Sequence, residues 1–185
     1  MTVKVTKSTC EVYRLKSNKP YWWAIITLDE ETGTFSVHSD YGDYAYSWTS
    51  RGKGISLKEF LIRLEKDDNY LMEKLSNGKR EFDLDKTIEA IEKDFQDALI
   101  DSPWHPDAIQ GVKEEIVTLK NCCNEHEFSN RLFDSDCLYE YLYGLEPYGI
   151  PICKEFPVQL KMFTQNVFPE FVKILKEEQL VEDKE

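Results

Sequence analysis

The chain has 185 residues, of which 41% are hydrophobic and 13% are aromatic, and this composition excludes a disordered or low-complexity protein. Its net charge of −12 argues against direct binding to nucleic acid or to an anionic membrane, because both need a positive field. No apolar run reaches the roughly 20 residues of a membrane span and no signal-peptide pattern opens the chain, so we expect a cytoplasmic protein.

Four segments near the amino terminus predict an antiparallel meander of three or four strands. They cover residues 9–16, 21–28, 34–39 and 44–48. The second segment is a continuous aromatic and β-branched run, which is typical of a central strand covered on both faces. In the third, Phe35 and Val37 alternate with Ser36 and His38, which indicates one buried and one open face.

The turn Asp40-Tyr41-Gly42-Asp43 predicts a hairpin, because Gly42 tolerates a positive φ and the aspartates can accept backbone hydrogen bonds. The next strand then carries an aromatic stripe on one face: Tyr44, Tyr46 and Trp48. Such a stripe can stack on nucleic-acid bases or lie buried beneath a helix. The strands carry few Lys and Arg residues, so we favour burial.

A helix begins at Ser56, where Ser56 and Glu59 form a capping-box pattern, and its apolar face extends to Leu75 with an interruption at residues 67–69. Asn77-Gly78 ends this first unit. The predicted fold class is therefore α+β, with the meander packed by a helix and followed by a helical region. We expect residues 1–80 to form the sheet-plus-helix domain and residues 81–185 an acidic helical region packed on it as one compact unit.

The helical region contains several predicted helices. They cover residues 85–100, a segment opened by Pro106, short helices near Phe128 and over residues 138–142, and a last helix from Val158 onward. Pro169 interrupts the last one, so it must kink or split there.

Charge is distributed unevenly along the chain. Residues 1–80 contain 13 basic and 11 acidic residues, whereas residues 81–115 contain 3 basic and 11 acidic ones. Asp85, Glu89 and Glu92 follow helical spacing and predict three carboxylates on one face, opposite the stripe that contains Ile88 and Ile91. Such a row can imitate nucleic-acid phosphates on a basic partner, or it can be a solvated helix face.

Residues able to carry catalysis or bind a metal are few. Cys122, Cys123 and His126, with Cys137, are ligand types that zinc accepts, but adjacent cysteines do not match the usual ligand spacing, and we expect no metal. The pair His38 and Asp40 beside the hairpin is the remaining acid–base candidate. No nucleophile elbow, phosphate-binding loop or dinucleotide fingerprint occurs, so no cofactor is expected.

Four stretches together resemble small accessory proteins encoded by phages and prophages, a family with no assigned activity. They are residues 21–26, residues 37–48 with their Ser-Asp-Tyr-Gly-x-Tyr-x-Tyr-x-Trp core, residues 60–61 and residues 70–75. The Phe-x-x-x-x-Phe-Pro-x-Phe pattern at residues 163–171 is similar to the carboxy-terminal pattern of these proteins.

The resemblance implies an origin among the accessory genes of mobile elements, many of which encode compact acidic proteins that disable host machinery. Together with the acidic rear half of the chain, it leads us to expect a non-enzymatic protein that binds a host protein in the host cytoplasm, such as an anti-CRISPR or other anti-defence inhibitor. The acidic face formed by Asp85, Glu89 and Glu92 would then contact a basic, nucleic-acid-binding effector. Two other hypotheses stay open: an enzyme that handles a small ligand or nucleotide through His38 and Asp40, and a structural module of the virion.

Overall fold

A computed structural model of the chain describes residue 3 and residues 5–101, 104–138, 149 and 151–182. The chain divides into two compact units: residues 1–80 with residues 156–185, and residues 81–155. The first unit contains an antiparallel sheet and helices, and the second is mainly helical. The predicted α+β class is confirmed.

The sheet of the first unit is a four-stranded antiparallel meander, ordered β1-β2-β3-β4, as the short connections predict. Its strands are β1 (Glu11–Asn18), β2 (Tyr21–Asp29), β3 (Thr34–Ser39) and β4 (Gly42–Ser47). The last hairpin has a two-residue turn, in which Ser39 pairs with Gly42 and the Ser39 hydroxyl donates to the Gly42 carbonyl at 3.0 Å. Gly42 has a φ of 113°, a conformation that strongly favours glycine.

Only one face of the sheet is fully buried. On β2, Trp22, Ala24, Ile26 and Leu28 are buried, whereas the alternating residues Trp23, Ile25 and Thr27 are half-buried. The expectation of a strand covered on both faces is therefore wrong. The four helices of this unit all contribute to the same core as the buried face, so they leave the other face open to solvent.

Two of these helices follow the sheet directly: α1 (Leu57–Leu64) and α2 (Asp68–Leu75). Ser56 caps α1, since its hydroxyl accepts from the Glu59 amide at 3.1 Å. The reciprocal half of the capping box is absent, because Glu59 pairs with Arg63 instead. A distant carboxylate, that of Glu30, accepts from the free Leu57 amide at 2.7 Å and so caps the same helix end.

The aromatic stripe, which runs along β4 and ends at Trp48 just after it, packs into this core, as predicted. Trp48 is buried against Phe60 of α1, with ring centroids 5.5 Å apart, and its indole donates to the Tyr70 hydroxyl at 3.2 Å. Tyr44 is partly buried and lies 5.5 Å from the ring of Phe163. The stripe is therefore part of the core rather than a stacking platform.

The other two helices of the first unit come from the end of the chain: α6 (Val158–Asn166) and α7 (Phe168–Glu182). They separate at Val167, which confirms the predicted split, and Pro169 then occupies the first turn of α7, where its missing N–H costs no hydrogen bond. The sequence pattern alone groups residues 81–185 into one region. In the structure, Phe168 and Phe171 pack on the buried ring of Phe35 in the sheet, so residues 156–185 belong to the first unit.

A polar cluster also joins α7 to the sheet. The Lys58 ammonium on α1 lies 2.7 Å from Glu11 on β1 and 3.0 Å from Glu178 on α7. The Tyr13 hydroxyl donates to Glu178 at 2.9 Å. Burial and the hydrogen bonds to these carboxylates raise the pKa of Tyr13 well above its usual value, so the phenol stays protonated as a donor.

The second unit contains α3 (Leu84–Asp101), α4 (Pro106–Leu119) and α5 (Glu125–Phe133). Two short strands, β5 (Glu81–Phe82) and β6 (Lys154–Glu155), pair antiparallel where the chain enters and leaves the unit. The buried core is contributed mainly by Ile91, Phe95, Val112, Leu119 and Phe128. Pro106 opens α4 as predicted, and most of the helix predicted over residues 138–142 lies outside the described residues.

Candidate protein-binding surface

The net negative charge of the protein lies entirely within one of its two units. Residues 81–155 contain 18 acidic and 6 basic residues, which is a net charge of −12. Residues 1–80 and 156–185 contain 17 of each, so the first unit has no net charge. The whole excess of negative charge therefore belongs to the helical unit.

Helix α3 presents the predicted carboxylate row on its surface. Asp85 and Glu89 are exposed and Glu92 is half-buried. With a rise of about 1.5 Å per residue, their Cα atoms are spaced by about 6 Å and about 4.5 Å along the helix axis. The first turn is held by the Asp83 side chain, which accepts from the Lys86 amide at 3.0 Å. The row thus lies on a regular, capped helix.

One basic residue from another helix end faces this row. The Lys120 ammonium, just after α4, lies 2.6 Å from a Glu92 carboxylate oxygen. Asp85, Glu89, Glu92 and Lys120 line a shallow depression of about 320 Å³ together with Leu84 and Ile88. We name this set of six residues the acidic depression.

The predicted position of the row relative to the apolar stripe is wrong. The sequence pattern places the carboxylates opposite Ile88, but Ile88 lines the same depression as Asp85 and Glu89. Successive helical residues are rotated by about 100°, so position 88 is only about 60° from position 85. The acidic row therefore borders the apolar core, and its carboxylates stand beside nonpolar surface.

The acidic depression is suited to bind cations carried on a protein. Among the described residues, Asp85 and Glu89 form no ion pair, so a partner would not have to displace one. Ionised carboxylates only accept hydrogen bonds and match the guanidinium fork of arginine. Leu84 and Ile88 add nonpolar contact for the aliphatic stem of a long basic side chain.

Sequence reasoning did not identify Lys120 or Leu84 as part of this surface. Lys120 is 28 residues from Glu92 in the chain, and a lysine after a helix carries no local signal of its partner. Only the packing of α3 against α4 brings the two side chains together.

His38 and Asp40 do not form the predicted pair at the hairpin. His38 instead contacts Asp43, its direct partner in the β3–β4 register, while Asp40 accepts from the Trp23 amide at 2.9 Å. The His38 and Asp43 side chains are 62% and 74% exposed, on the open face of the sheet. His38, the candidate for acid–base catalysis, therefore lies on a solvated surface beside the Trp23 ring.

The cysteines near the end of α4 differ in environment. Cys122 is buried in the core of the second unit, and burial raises the pKa of its thiol. Cys123 is exposed, and its amide donates to Glu127 at 2.8 Å, which holds the pKa of that carboxyl below its usual value. Among the described residues, no three Cys, His, Asp or Glu side chains form a group that could hold a metal ion.

We expect a thiol reagent at pH 8 to modify Cys10 and Cys123 rapidly and Cys122 much more slowly, because only the first two are exposed. Mass mapping of the labelled peptides over time measures this order, and complete unfolding in urea should make Cys122 as reactive as the others. Equal rates for Cys122 and Cys123 in the native protein would contradict the buried position of Cys122.

Comparison with known proteins places this chain among phage proteins. A model of one phage family matches residues 3–177, which is nearly the whole chain. The protein belongs to this family, Phage_phiTE_072. No curated protein and no solved structure matches it. The resemblance to phage-encoded proteins is thus confirmed at the level of a phage family.

Among the described residues, no helix combines the length and the hydrophobicity that a membrane span needs.

Proposed function

We propose that this phage-family protein binds a basic host protein through the acidic depression and inhibits it. The partner is a nucleic-acid-binding effector of host defence, which makes the protein an anti-CRISPR or other anti-defence inhibitor. The observation that carries the proposal is the confinement of the whole net charge of −12 to residues 81–155.

The carboxylate row supports a role as an imitator of nucleic acid. Its charges are spaced by about 5 Å along the α3 axis, which approaches the density of a nucleic-acid strand, with one phosphate per about 3.4 Å. A channel that binds phosphates with Lys and Arg can accept such a row with the same side chains. Long-range attraction from the whole acidic unit would speed the encounter.

Two of the three carboxylates of the row, those of Asp85 and Glu89, are available to a partner. Asp85 and Glu89 are exposed and lack an ion pair within the described residues, so their charges attract a partner without loss of an internal contact. Glu92 is held by Lys120 at 2.6 Å, which restricts its side chain before binding. A partly ordered row loses less conformational entropy when the complex forms.

The test uses the full chain and a triple variant, Asp85→Asn, Glu89→Gln and Glu92→Gln. We expect the variant to bind its host partner at least about tenfold more weakly, because up to three charge-assisted contacts are lost. Wild-type protein would first be used at low salt to isolate the partner from a bacterial host for identification by mass spectrometry. Affinities of purified proteins would then be measured at two salt concentrations.

A charge-matched control removes three carboxylates elsewhere on the same unit: Asp97→Asn, Asp107→Asn and Glu114→Gln. All three side chains are exposed and lie outside the acidic depression. The control should keep most of the affinity, and both variants should unfold at the same urea concentration as the wild type. Equal weakening by both variants would show that only total charge matters, and no weakening by the triple variant would refute the proposed surface.

A further inference from the structure

The first unit contains a second surface that the acidic depression does not explain. A cleft of about 720 Å³ lies between β1 and the helices α6 and α7. Its volume falls within the range of about 300–1,000 Å³ that is usual for binding sites. We infer that this cleft binds an extended segment of a partner protein, in which acidic and apolar residues alternate, as an added strand on β1.

The edge of the sheet faces the cleft. Four consecutive residues of β1, Arg14 to Ser17, line it. Successive side chains of a strand point to opposite faces, so a run of consecutive lining residues shows that the cleft follows the strand's edge. Among the described residues, β1 pairs only with β2 and is therefore an edge strand, with backbone N–H and C=O groups directed away from the sheet.

One side of α7 forms the opposite wall. Glu170, Lys173, Ile174 and Glu177 line the cleft at spacings of three and four residues, which places them on one helical face. A groove between an edge strand and a helix is the arrangement in which a peptide adds a strand by main-chain hydrogen bonds. The four lining residues of β1 span about 10–13 Å, enough for a segment of four or five residues.

The charges on the strand side select an acidic segment. Arg14, Lys16 and Lys19 line the cleft, and none of them forms an ion pair within the described residues. The Lys16 ammonium lies over the ring of Tyr21, at 5.7 Å from the centroid. On an added strand, residues on the same face as Arg14 and Lys16 become their cross-strand neighbours, where opposite charges stabilise the pair.

The alternate residues of the segment meet a different surface. Leu15 is 8% exposed and Trp22 is 4% exposed, and both line the cleft on the buried side of the sheet with the half-buried Ile174. Apolar side chains pointing to this side would be removed from water. A second copy of this chain is a poorer occupant, because pairing two β1 strands brings Arg14 and Lys16 near like charges.

The test measures binding of a fluorescein-labelled hexapeptide of alternating Glu and Val to the full chain by fluorescence anisotropy. We expect saturable binding that is weakened at least about tenfold by Arg14→Glu with Lys16→Glu. The control reverses two other exposed charges of the first unit, Lys53→Glu and Lys66→Glu, and should leave the affinity within about twofold. Unfolding in urea checks that both double variants remain folded.

Two further peptides test the strand geometry. A peptide with the same composition, three Glu followed by three Val, and a peptide with N-methylated alternate amides should each bind at least about fivefold more weakly, because they lose the alternation or the main-chain hydrogen bonds. Undiminished binding of either would overturn the inference, as would no binding of the alternating peptide. A dimer in sedimentation that the peptide cannot dissociate would show that a second copy occupies the edge. The triple variant of the acidic depression should bind the peptide normally, so this result is independent of the proposed function.

Discussion

Removal of residues 156–185 should unfold the sheet unit, although the four strands and α1 and α2 all remain in the shortened chain. The deleted segment supplies Phe163, Phe168 and Phe171, all of which are fully buried in the core of the first unit. Without them, one side of Phe35 and the aromatic stripe of β4 would be exposed to water. A small sheet that loses part of its only hydrophobic layer falls below the few kcal/mol of net stability typical of a domain.

Near-ultraviolet circular dichroism and tryptophan emission measure this loss, because Trp22 and Trp48 are buried in this unit. Addition of a separate peptide covering residues 156–185 should restore the native signals, which distinguishes a missing core from a general failure to fold. Cooperative urea unfolding of the truncated chain, with emission of a buried tryptophan, would contradict this role of the segment.

Phe35→Ala should lower the free energy of unfolding of the first unit by about 3–5 kcal/mol, since a large buried aromatic side chain is replaced by a cavity. Phe35 is fully buried, and its ring centroid lies 6.2–6.4 Å from those of Trp48, Phe168 and Phe171. It is therefore the point where the sheet and the carboxy-terminal helix meet. Urea unfolding followed by circular dichroism provides the measurement.

A suitable control is Leu180→Ala, because Leu180 lies on α7 but is 60% exposed. It should change the free energy of unfolding by less than about 0.5 kcal/mol. If Phe35→Ala were as mild as this control, Phe35 could not be the centre of the packed core.

The two proposed surfaces differ in charge and lie on different units. The acidic depression on residues 81–155 offers carboxylates to a basic partner, while the cleft beside β1 offers Arg14, Lys16 and Lys19 to an acidic segment. Because each surface has its own residues and its own charge sign, the variants proposed for one should leave the other unaffected. A protein with both surfaces could bind two different partners or two sites on one partner.

Local chemistry alone predicts much of this structure. The strands follow from alternation or from an aromatic and β-branched run, the last hairpin turn follows from Gly42, and the start of α1 follows from Ser56, whose hydroxyl reaches an amide three residues away. The split before Pro169 follows from a proline's missing N–H. The exposure of Asp85 and Glu89 follows from helical spacing. Each of these features depends on residues within about one turn of one another, so the chain near each residue contains the whole physical cause.

Features that depend on distant residues were decided only by the tertiary structure. The sequence by itself determined the α+β class and the acidic row, but it contains no local signal that residues 156–185 return to the sheet or that Lys120 faces Glu92. The pairing of His38 with Asp43 rather than Asp40 depends on the strand register, and the Glu30 cap on α1 joins residues 27 positions apart. Such contacts are chosen by the packing of whole faces, because the burial of aromatic side chains outweighs the preferences of any short segment.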